Sequence, residues 1–442
     1  MRATATSLDR NPLDVWAARK LGIASKLLSR DAIAEYQLGA IQKTVAWARR
    51  KSSFYAARLA MFPADWPQSF EEFVNARLTS PVDLIDRGHE FLCVAQDEIS
   101  RVVTLETSGT TGTRKRIFFT SDDQDLALDF FAHGVAAMAA EGDRMFIALP
   151  GEREGSVGFQ LARGIARAGV VPIPYGLVID PAAAIARMDQ EQVTLLIGLP
   201  VQMLALALEQ GEAARRVFRR LHTIVLCSDH VAQSVVRRIR HATGCQIFEH
   251  YGSTEMGLGG GIDCREHAGY HLREADLYFE IVSPRSDEPL ADGQLGEVVF
   301  TTLGRVGMPL VRYRTGDVSR IVAGSCACGS PLRRLERVMN RVESGCRGAV
   351  TIGSLDEALF AIAGVYDFAA TMVATTPREL RVQIYGAQAS RRITEEAERV
   401  LLQLPAIGGP CAAGELRLSV LLENRPFAVT GAKRKIGAQI IQ

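Results

Sequence analysis

The chain has 442 residues and a formal net charge of +1 at pH 7, with 47% hydrophobic and 23% charged residues. This length exceeds the size at which one hydrophobic core keeps growing, so two or more domains are expected. The balanced charge excludes the clustered surplus of Lys and Arg that marks nucleic-acid binding, and no apolar stretch approaches the length of a membrane span. Because the N-terminal residues also lack the apolar core of a signal peptide, we expect a cytoplasmic protein with no nucleic-acid or membrane partner.

The predicted elements change type along the chain. Residues 1 to about 90 are predicted to be mostly helical, with apolar residues at helical spacing from Asp31 to Arg50. From about 100 to 260, apolar runs bounded by turn residues alternate with helical stretches, which predicts α/β layers with a partly parallel sheet. Strands dominate from about 270 to 325, and residues 344–442 combine strands and a helix.

The predicted fold class is therefore α/β. A large N-terminal domain of α/β layers is expected over residues 1–342, and it includes a small β-subdomain at about 264–340. The third strand of this subdomain is predicted at Asp317–Val322. A small α+β C-terminal domain is expected over residues 343–442.

A loop rich in glycine and hydroxyl groups follows the predicted strand Val102–Leu105. Its small side chains would let backbone N–H groups and hydroxyls close around phosphate oxygens, and Lys115 adds a positive charge beside it. The Gly-Lys-Ser/Thr ending of a Walker loop is missing. On its own, the loop is equally compatible with a solvated turn. Its residues are Thr107, Ser108, Gly109, Thr110, Thr111 and Gly112.

Two later segments favour the phosphate-binding interpretation, namely Glu249–Glu255 (EHYGSTE) and Tyr313–Asp317 (YRTGD). Together with the loop, and in this order, they resemble the adenylate-forming superfamily, which comprises acyl-CoA synthetases, peptide-synthetase adenylation domains and luciferases. Segments Leu295–Leu303, Met308–Asp317 and Cys326–Gly329 are similar to the phenylacetate–CoA ligase branch. The resemblance fades near both ends of the chain.

The side chains of the second motif suit ATP and magnesium. Tyr251 offers a flat face to adenine, Gly252 permits close backbone approach, Thr254 offers a hydroxyl to a phosphate, and Glu255 offers a hard oxygen ligand to Mg²⁺. The resemblance implies that these residues and Ser253 contact the nucleotide. Alternatively, Glu255 is a helix-start carboxylate after Ser253 and Thr254.

Two further residues are expected at the nucleotide. The Asp317 carboxylate can accept hydrogen bonds from both ribose hydroxyls, although it can also simply cap a turn after Gly316. Arg341 is expected to bind the ribose or a phosphate. The resemblance implies that both residues contact the nucleotide.

Cys326 and Cys328 indicate a separate metal site. They are the closest pair among the eight cysteines, and in a cytosolic chain close cysteines favour a metal or redox role over disulfides. Cys264 and His271 offer a third and a fourth ligand, which would complete the closed Cys₃His set of a structural zinc site. The similar branch has cysteine and histidine at matching places. His267 is the competing fourth ligand, and reduced thiols without a metal are the alternative.

The C-terminal region departs from the superfamily pattern. In the superfamily this domain rotates between two half-reactions, which implies that residues 343–442 form a mobile lid. The hinge normally reads Gly-Arg-x-Asp, whereas this chain has Asn340-Arg341-Val342-Glu343. Lys433 is the better candidate for the lysine that assists adenylation, Lys435 is the alternative, and a solvated basic tail is equally compatible. Segment Cys346–Val350 matches the CoA-guiding loop of the family poorly.

The resemblance implies an ATP-dependent carboxylic acid–CoA ligase. The first step makes acyl-AMP and pyrophosphate, and the second transfers the acyl group to CoA and releases AMP. We expect an aryl or other apolar acid, ATP, Mg²⁺, CoA and a structural Zn²⁺, with a homodimer as one option for the oligomeric state. Two alternatives stay open, namely an adenylating enzyme with another acceptor, such as a carrier-protein thiol, and a nucleotide-binding relative without catalytic activity.

Overall fold

A computed structural model describes the chain at residues 11–106, 114–338, 340–342, 350–386, 391–424, 434 and 436–440. The chain divides into two compact units. The first comprises Met1–Glu141, Arg163–Gly169 and His250–Val338, and the second comprises Gly142–Ala162, Val170–Glu249 and Met339–Gln442. The predicted α/β fold class is confirmed, with helices and with both parallel and antiparallel sheets. The predicted domain boundary at residue 342 stays a prediction.

A parallel sheet forms the centre of the second unit. Its strands run in the order Val171–Pro174, Arg144–Ala148, Leu195–Gly198, Thr223–Leu226 and then Gln246–Tyr251, of which residues up to Glu249 belong to this unit. The central strands Leu195–Gly198 and Thr223–Leu226 are buried along their whole length and almost entirely apolar, as expected of a parallel sheet that is covered on both faces. The predicted partly parallel sheet is therefore confirmed. The helices that alternate with these strands are Val157–Ala166, Pro181–Gln190, Pro200–Ala207, Glu212–Arg220 and Gln233–Thr243.

The C-terminal part of the second unit contains a separate mixed sheet. Strands Asp367–Ala374 and Arg378–Gly386 form an antiparallel hairpin. Leu416–Asn424 and Gly437–Ile440 pair with this hairpin in parallel on its two sides. Apolar residues of this part, such as Leu355 and Phe360, share one hydrophobic core with the helices of the parallel sheet. The remaining elements here are the short strand Asn340–Arg341 and helices Ile352–Leu359, Arg391–Leu402 and Pro405–Ala412.

The first unit begins with helices and continues with antiparallel strands. Arg101–Glu106 and Arg114–Phe119 form a hairpin. Strands Leu277–Val282, Gly296–Thr302 and Tyr313–Ser319 pair in sequence order. The helices are Pro12–Leu21, Arg30–Lys51, Ser53–Arg58, Phe70–Phe73, Pro81–Arg87 and Ser121–Val135, with 3₁₀ turns at Ser25–Leu27, Gly88–Phe91 and Gln96–Glu98. A further antiparallel ladder joins the end of Gln246–Tyr251 to Gly261–Ile262, Tyr270–Leu272, Arg334–Leu335 and Ile321–Val322 in that order.

The predicted position of the third strand of the β-subdomain was wrong. It was predicted at Asp317–Val322 but spans Tyr313–Ser319, with Ile321–Val322 a separate short strand. The polar residues at its start are accommodated because the Thr315 hydroxyl donates to the Val298 carbonyl (2.7 Å) and the Gly316 amide donates to the Glu297 carboxylate (3.0 Å). The YRTGD motif therefore lies on a strand of the sheet.

A buried arginine holds the start of this strand in place. The Arg312 guanidinium lies 3.0 Å from the Glu280 carboxylate and also donates to the carbonyls of Val74 and Ala76. The side chains of Arg312 and Glu280 are 2% and 4% exposed. A buried ion pair of this kind is tolerated only when its remaining hydrogen-bonding groups are also satisfied. The motif strand is thereby anchored to the helical N-terminal part of the same unit.

Replacing Arg312 with Met is expected to lower the free energy of unfolding by about 3–5 kcal/mol, because Glu280 becomes a buried charge without a partner. The double variant with Glu280→Gln is expected to recover part of this loss. Urea unfolding measures both effects. Arg320→Met is the matched control, since the Arg320–Glu336 pair is 44% and 33% exposed and is expected to contribute at most about 1 kcal/mol. Equal losses for both arginine variants would contradict this interpretation.

Candidate nucleotide site

A buried ion pair joins the glycine-rich loop region to the second motif. Lys115 lies on strand Arg114–Phe119, and its ammonium donates to the Glu255 carboxylate and to the Tyr313 hydroxyl, the latter at 3.2 Å. The side chains of Lys115 and Glu255 are 13% and 9% exposed. Burial alone would raise the pKa of Glu255, but the adjacent Lys115 ammonium outweighs it and lowers that pKa. Glu255 is therefore an ionised carboxylate at neutral pH.

The second and third motifs meet through a direct hydrogen bond. The Tyr251 hydroxyl donates to the Asp317 carboxylate at 3.0 Å. The Tyr251 ring stacks with the Tyr270 ring at a centroid distance of 5.9 Å and an interplanar angle of 22°. Asp317 lies on strand Tyr313–Ser319, and because its carboxylate contacts Tyr251 it does more than cap a turn. The adenine and ribose contacts that were expected of Tyr251 and Asp317 stay predictions.

The segment after Tyr251 is a tight turn. A side chain at Gly252 would place its Cβ 2.4 Å from the Leu258 carbonyl oxygen, so only glycine fits between these two backbone stretches. The Leu258 amide donates to the Ser253 carbonyl at 2.8 Å, and the Gly257 amide donates to that of Thr254 at 3.0 Å. The close backbone approach that was expected at Gly252 is thus made by the backbone at Leu258. The Glu255 side chain binds Lys115 instead of starting a helix.

Arg305 is a residue of this site that the sequence analysis missed. Its buried guanidinium donates to the Glu255 carbonyl (2.7 Å) and the Phe118 carbonyl (3.2 Å), and it lies 4.4 Å from the Phe119 ring centroid. Burial lowers the pKa of Arg305 to about 10, which leaves it charged at neutral pH. It therefore ties the backbone of the Glu255 turn to the strand that carries Lys115. The available sequence signal was a lone arginine in a mainly apolar stretch between two motif-like segments.

Several predicted site residues stay predictions. Thr107, Ser108, Gly109, Thr110, Thr111 and Gly112 lie outside the described residues, as do Lys433 and Lys435. Arg341 is exposed on the short strand Asn340–Arg341 of the second unit.

The predicted metal ligands converge in the first unit. Candidate ligand atoms of Cys264, His271, Cys326 and Cys328 all lie within 4.8 Å of one another. The Cys264 and Cys326 sulfurs are 3.8 Å apart, and the Cys328 sulfur is 3.3 Å from His271 Nε2. Two sulfurs each about 2.3 Å from a tetrahedral zinc would be separated by about 3.8 Å, so the donor set fits that ion. The competing ligand His267 instead pairs with Asp263 at 2.6 Å and is not in this group.

The comparisons with known proteins agree with this geometry. The family described as AMP-binding enzyme matches residues 89–304. A phenylacetate-coenzyme A ligase of Pseudomonas putida is 29% identical over 324 residues, which are 71% of either chain. One from Thermus thermophilus is 25% identical over 332 residues, or 72% of either chain. A 2-hydroxyisobutyryl-CoA ligase crystal structure has a TM-score of 0.77 at 19% identity, covers 94% of this chain and 90% of its own, and shares the fold.

The predicted resemblance to the adenylate-forming superfamily, and within it to the phenylacetate–CoA ligase branch, is confirmed by these sequence matches. Among the described residues, every helix is too short or too polar to cross a bilayer.

Replacing Lys115 with Met is expected to lower the free energy of unfolding by about 3–5 kcal/mol at pH 7, because the buried Glu255 loses its partner. In the wild type, the lowered pKa of Glu255 gives stability that is present above the usual glutamate pKa and is lost as pH falls through the lowered value. In the variant, burial without the ammonium favours the protonated acid. The difference between the two proteins should therefore shrink below a pH of about 4.

Urea unfolding between acidic and neutral pH measures this difference. Lys43→Met is the control, because Lys43 is exposed on helix Arg30–Lys51 and its replacement is expected to change stability by less than about 0.5 kcal/mol. A loss for Lys115→Met that is the same at every pH would show that Glu255 is not the group whose charge Lys115 compensates.

Proposed function

We propose that this enzyme is an ATP-dependent carboxylic acid–CoA ligase that acts through an acyl-AMP intermediate, with an aryl or other apolar acid as substrate. The observation that carries the proposal is the convergence of Lys115, Glu255, Tyr251 and Asp317 in one unit, with the Tyr313 hydroxyl beside the first two. The chemistry of acid activation needs positioning and charge stabilisation more than a side-chain nucleophile, and this arrangement supplies both. The names of the curated relatives support CoA as the acceptor.

In the first step, the acid carboxylate attacks the α-phosphorus of ATP and pyrophosphate leaves. Lys115 and the loop Thr107–Gly112 bind the phosphates, while Asp317 accepts hydrogen bonds from the ribose. Glu255, an ionised hard oxygen ligand, would hold Mg²⁺, which neutralises phosphate charge when it is bound. Lys433 would place its ammonium on the acyl phosphate. In the second step, the CoA thiolate attacks the acyl carbonyl carbon and AMP leaves.

An apolar acid is supported by the surroundings of the glycine run after the second motif. A Cβ at Gly259 would lie 2.6 Å from the Phe130 ring, and the Phe131 ring centroid is 6.3 Å from that of His250. Burial, and secondarily the charge of Arg273, lowers the pKa of His250 to about 4, so its imidazole is neutral at pH 7. Aromatic rings and a neutral imidazole favour an uncharged acyl group. Phe130 therefore fills the space beside Gly259.

We further propose a structural zinc ion bound by Cys264, His271, Cys326 and Cys328. The support is the fit of their sulfur and nitrogen separations to a tetrahedral ion. These ligands come from strand Tyr270–Leu272 and from turns that precede and follow it, so the ion would brace the antiparallel ladder of the first unit. The expected cytoplasmic location and the homodimer option stay predictions.

Pyrophosphate release from ATP and Mg²⁺, measured across aryl, aliphatic and amino acids with and without CoA, tests the proposed reaction. We expect release that depends on one class of apolar acid and becomes multiple-turnover only with CoA. Release that stops near one equivalent despite CoA would still support adenylation, but it would indicate that the acyl group passes to another acceptor, such as a carrier-protein thiol. ATP binding without release for any acid would support the non-catalytic alternative.

Glu255→Gln is expected to slow acid-dependent pyrophosphate release by about 100-fold, because the neutral amide is a poor ligand for the cation that stabilises the phosphates. The measurement is the same release assay over a range of Mg²⁺ concentrations. Glu336→Gln, at a half-buried glutamate of the same unit, is the matched control and should retain wild-type activity. Equal rates of pyrophosphate release for both variants would show that Glu255 takes no part in the reaction.

Elemental analysis of the purified protein is expected to find one zinc ion per chain. Cys326→Ser should lose this zinc and lower the unfolding midpoint by about 5–10 °C, since metal binding contributes directly to folding. Cys411→Ser is the control, because Cys411 is only half-buried and lies outside the ligand group. A metal-free wild type with the same unfolding midpoint as Cys326→Ser would contradict the zinc site.

A further inference from the structure

A long strand lies at the edge of the mixed sheet of the second unit. Leu416–Asn424 pairs in parallel with Arg378–Gly386, and within the described part of the chain it is the last strand of that sheet. It has nine residues, contains neither proline nor glycine, and keeps an unbroken register with its neighbour. Alternate backbone N–H and C=O groups of an edge strand point away from its sheet. This edge is therefore a regular template for the addition of another strand.

Two other edge strands of the same unit have features that prevent such pairing. Val171–Pro174, at the edge of the parallel sheet, has proline at two of its four positions, and proline cannot donate to a ladder. Gly437–Ile440, at the opposite edge of the mixed sheet, has only four residues. Prolines, short length and charged side chains are the usual means of keeping an edge unpaired. Leu416–Asn424 is neither short nor interrupted, and its only charged residues are Arg417 and Glu423 near its ends.

The two faces of this strand differ in burial, because successive side chains point to opposite faces. One face packs on the hydrophobic core of the unit, and its residues are Leu416, Leu418, Val420 and Leu422. The other face carries Arg417, Ser419, Leu421 and Glu423. Leu421 is 54% exposed, so a large apolar side chain lies at the middle of the outer face. A strand added at this edge would contact both an apolar inner row and a mixed outer row.

A second copy of the same strand matches this edge in one register. Two copies related by a two-fold axis pair antiparallel, and residues equally far from the axis lie opposite each other. An axis at Val420, the middle of the strand, pairs the strand along its whole length and places Arg417 opposite Glu423 of the second copy, once on each side of the axis. On the inner face, Leu418 then lies opposite Leu422 of the second copy. Moving the axis along the strand would leave the strands partly unpaired and would separate the opposite charges.

We propose that Leu416–Asn424 is a dimer interface, at which two copies of the chain pair antiparallel about a two-fold axis at Val420 and join their mixed sheets into one continuous sheet. Opposite charges directly across an antiparallel ladder are favourable, and like charges there are unfavourable. The two symmetric Arg417–Glu423 pairs therefore favour this register, and they favour a second copy over a strand of another sequence. The interface is independent of the proposed reaction and is tested without measuring it.

Sedimentation equilibrium over a range of protein concentrations measures the association, and we expect the wild type to be a reversible dimer. Arg417→Glu would place two carboxylates opposite each other at both positions, and Glu423→Arg would place two guanidinium groups there. Each variant should therefore raise the dissociation constant of the dimer by at least about 10-fold. Arg391→Glu, a charge reversal at a side chain that is 91% exposed, is the control and should dimerise like the wild type. A monomeric wild type, or equal dissociation constants for all these proteins, would overturn the proposal.

A mixture of the two charge-reversal variants separates the interface from a loss of folding. When one copy carries Arg417→Glu and the other carries Glu423→Arg, both cross-strand pairs again join opposite charges. The mixture should form a heterodimer with a dissociation constant within about threefold of the wild-type value, as should the double variant with itself. In Arg417→Glu the new carboxylate also lies beside Glu379 of its own chain, but that repulsion persists in the mixture and cannot explain a recovery. Failure of both combinations to dimerise would show that these charges do not lie opposite each other.

Hydrogen exchange of the backbone amides tests what covers the edge. Amides of Leu416–Asn424 that point away from Arg378–Gly386 should be protected in the wild-type dimer and should exchange at least about 10-fold faster in Arg417→Glu. Amides in the ladder with Arg378–Gly386 should keep their protection in both proteins. If the outward amides are protected in a monomer, another segment of the same chain covers the edge and the proposal is wrong. If they exchange freely in a dimer, the copies associate through a different surface and the proposal is equally wrong.

Discussion

The candidate site depends on a lysine and a glutamate that are both removed from water. Taking the Lys115 and Glu255 charges out of solvent is costly, and their attraction offsets that cost only if the geometry around them is fixed. Arg305 supplies the fixation, since one guanidinium holds the backbone of the Glu255 turn and the backbone of the hairpin that carries Lys115. The Tyr313 hydroxyl, 3.2 Å from the ammonium, brings the third motif to the same point. The pair therefore organises segments that are far apart in the chain.

In the same unit, the second motif lies next to the Cys/His group. Tyr270 stacks on Tyr251, and the next residue, His271, belongs to the metal-ligand group. Successive side chains of a strand point to opposite faces, so strand Tyr270–Leu272 contacts Tyr251 of the second motif on one side and the cysteines on the other. His271 is therefore one peptide unit away from the ring that stacks on Tyr251, so the Cys/His group lies directly beside the candidate site.

The sequence predicted those parts of the protein that are encoded locally. The central parallel strands are short, mainly apolar runs, and the motifs are short segments with recognisable residue types, so both were identified. The start of strand Tyr313–Ser319 was missed because its polar residues are satisfied by Glu297 and Val298 of the neighbouring strand, which no local pattern records. Arg305 was missed for the same reason, since its partners Glu255 and Phe118 are 50 and 187 positions away. The structural role of such a polar residue therefore depends on contacts with distant segments, which the local sequence does not reveal.

Arg434 belongs to the C-terminal region whose sequence departs from the superfamily, yet its guanidinium is built into the interior of the second unit beside Asp229, Asp356 and Asp367. A buried group of carboxylates around one guanidinium is a poor source of stability, because apolar residues of similar volume would avoid the desolvation cost. What the charged cluster does provide is a restriction on the positions of the groups around the guanidinium. A guanidinium with fixed donors accepts only a narrow range of partner positions, whereas apolar packing tolerates small displacements. The contacts of Arg434 with Asp229, Asp356 and Asp367 therefore restrict the relative positions of segments of the second unit that are far apart in the chain.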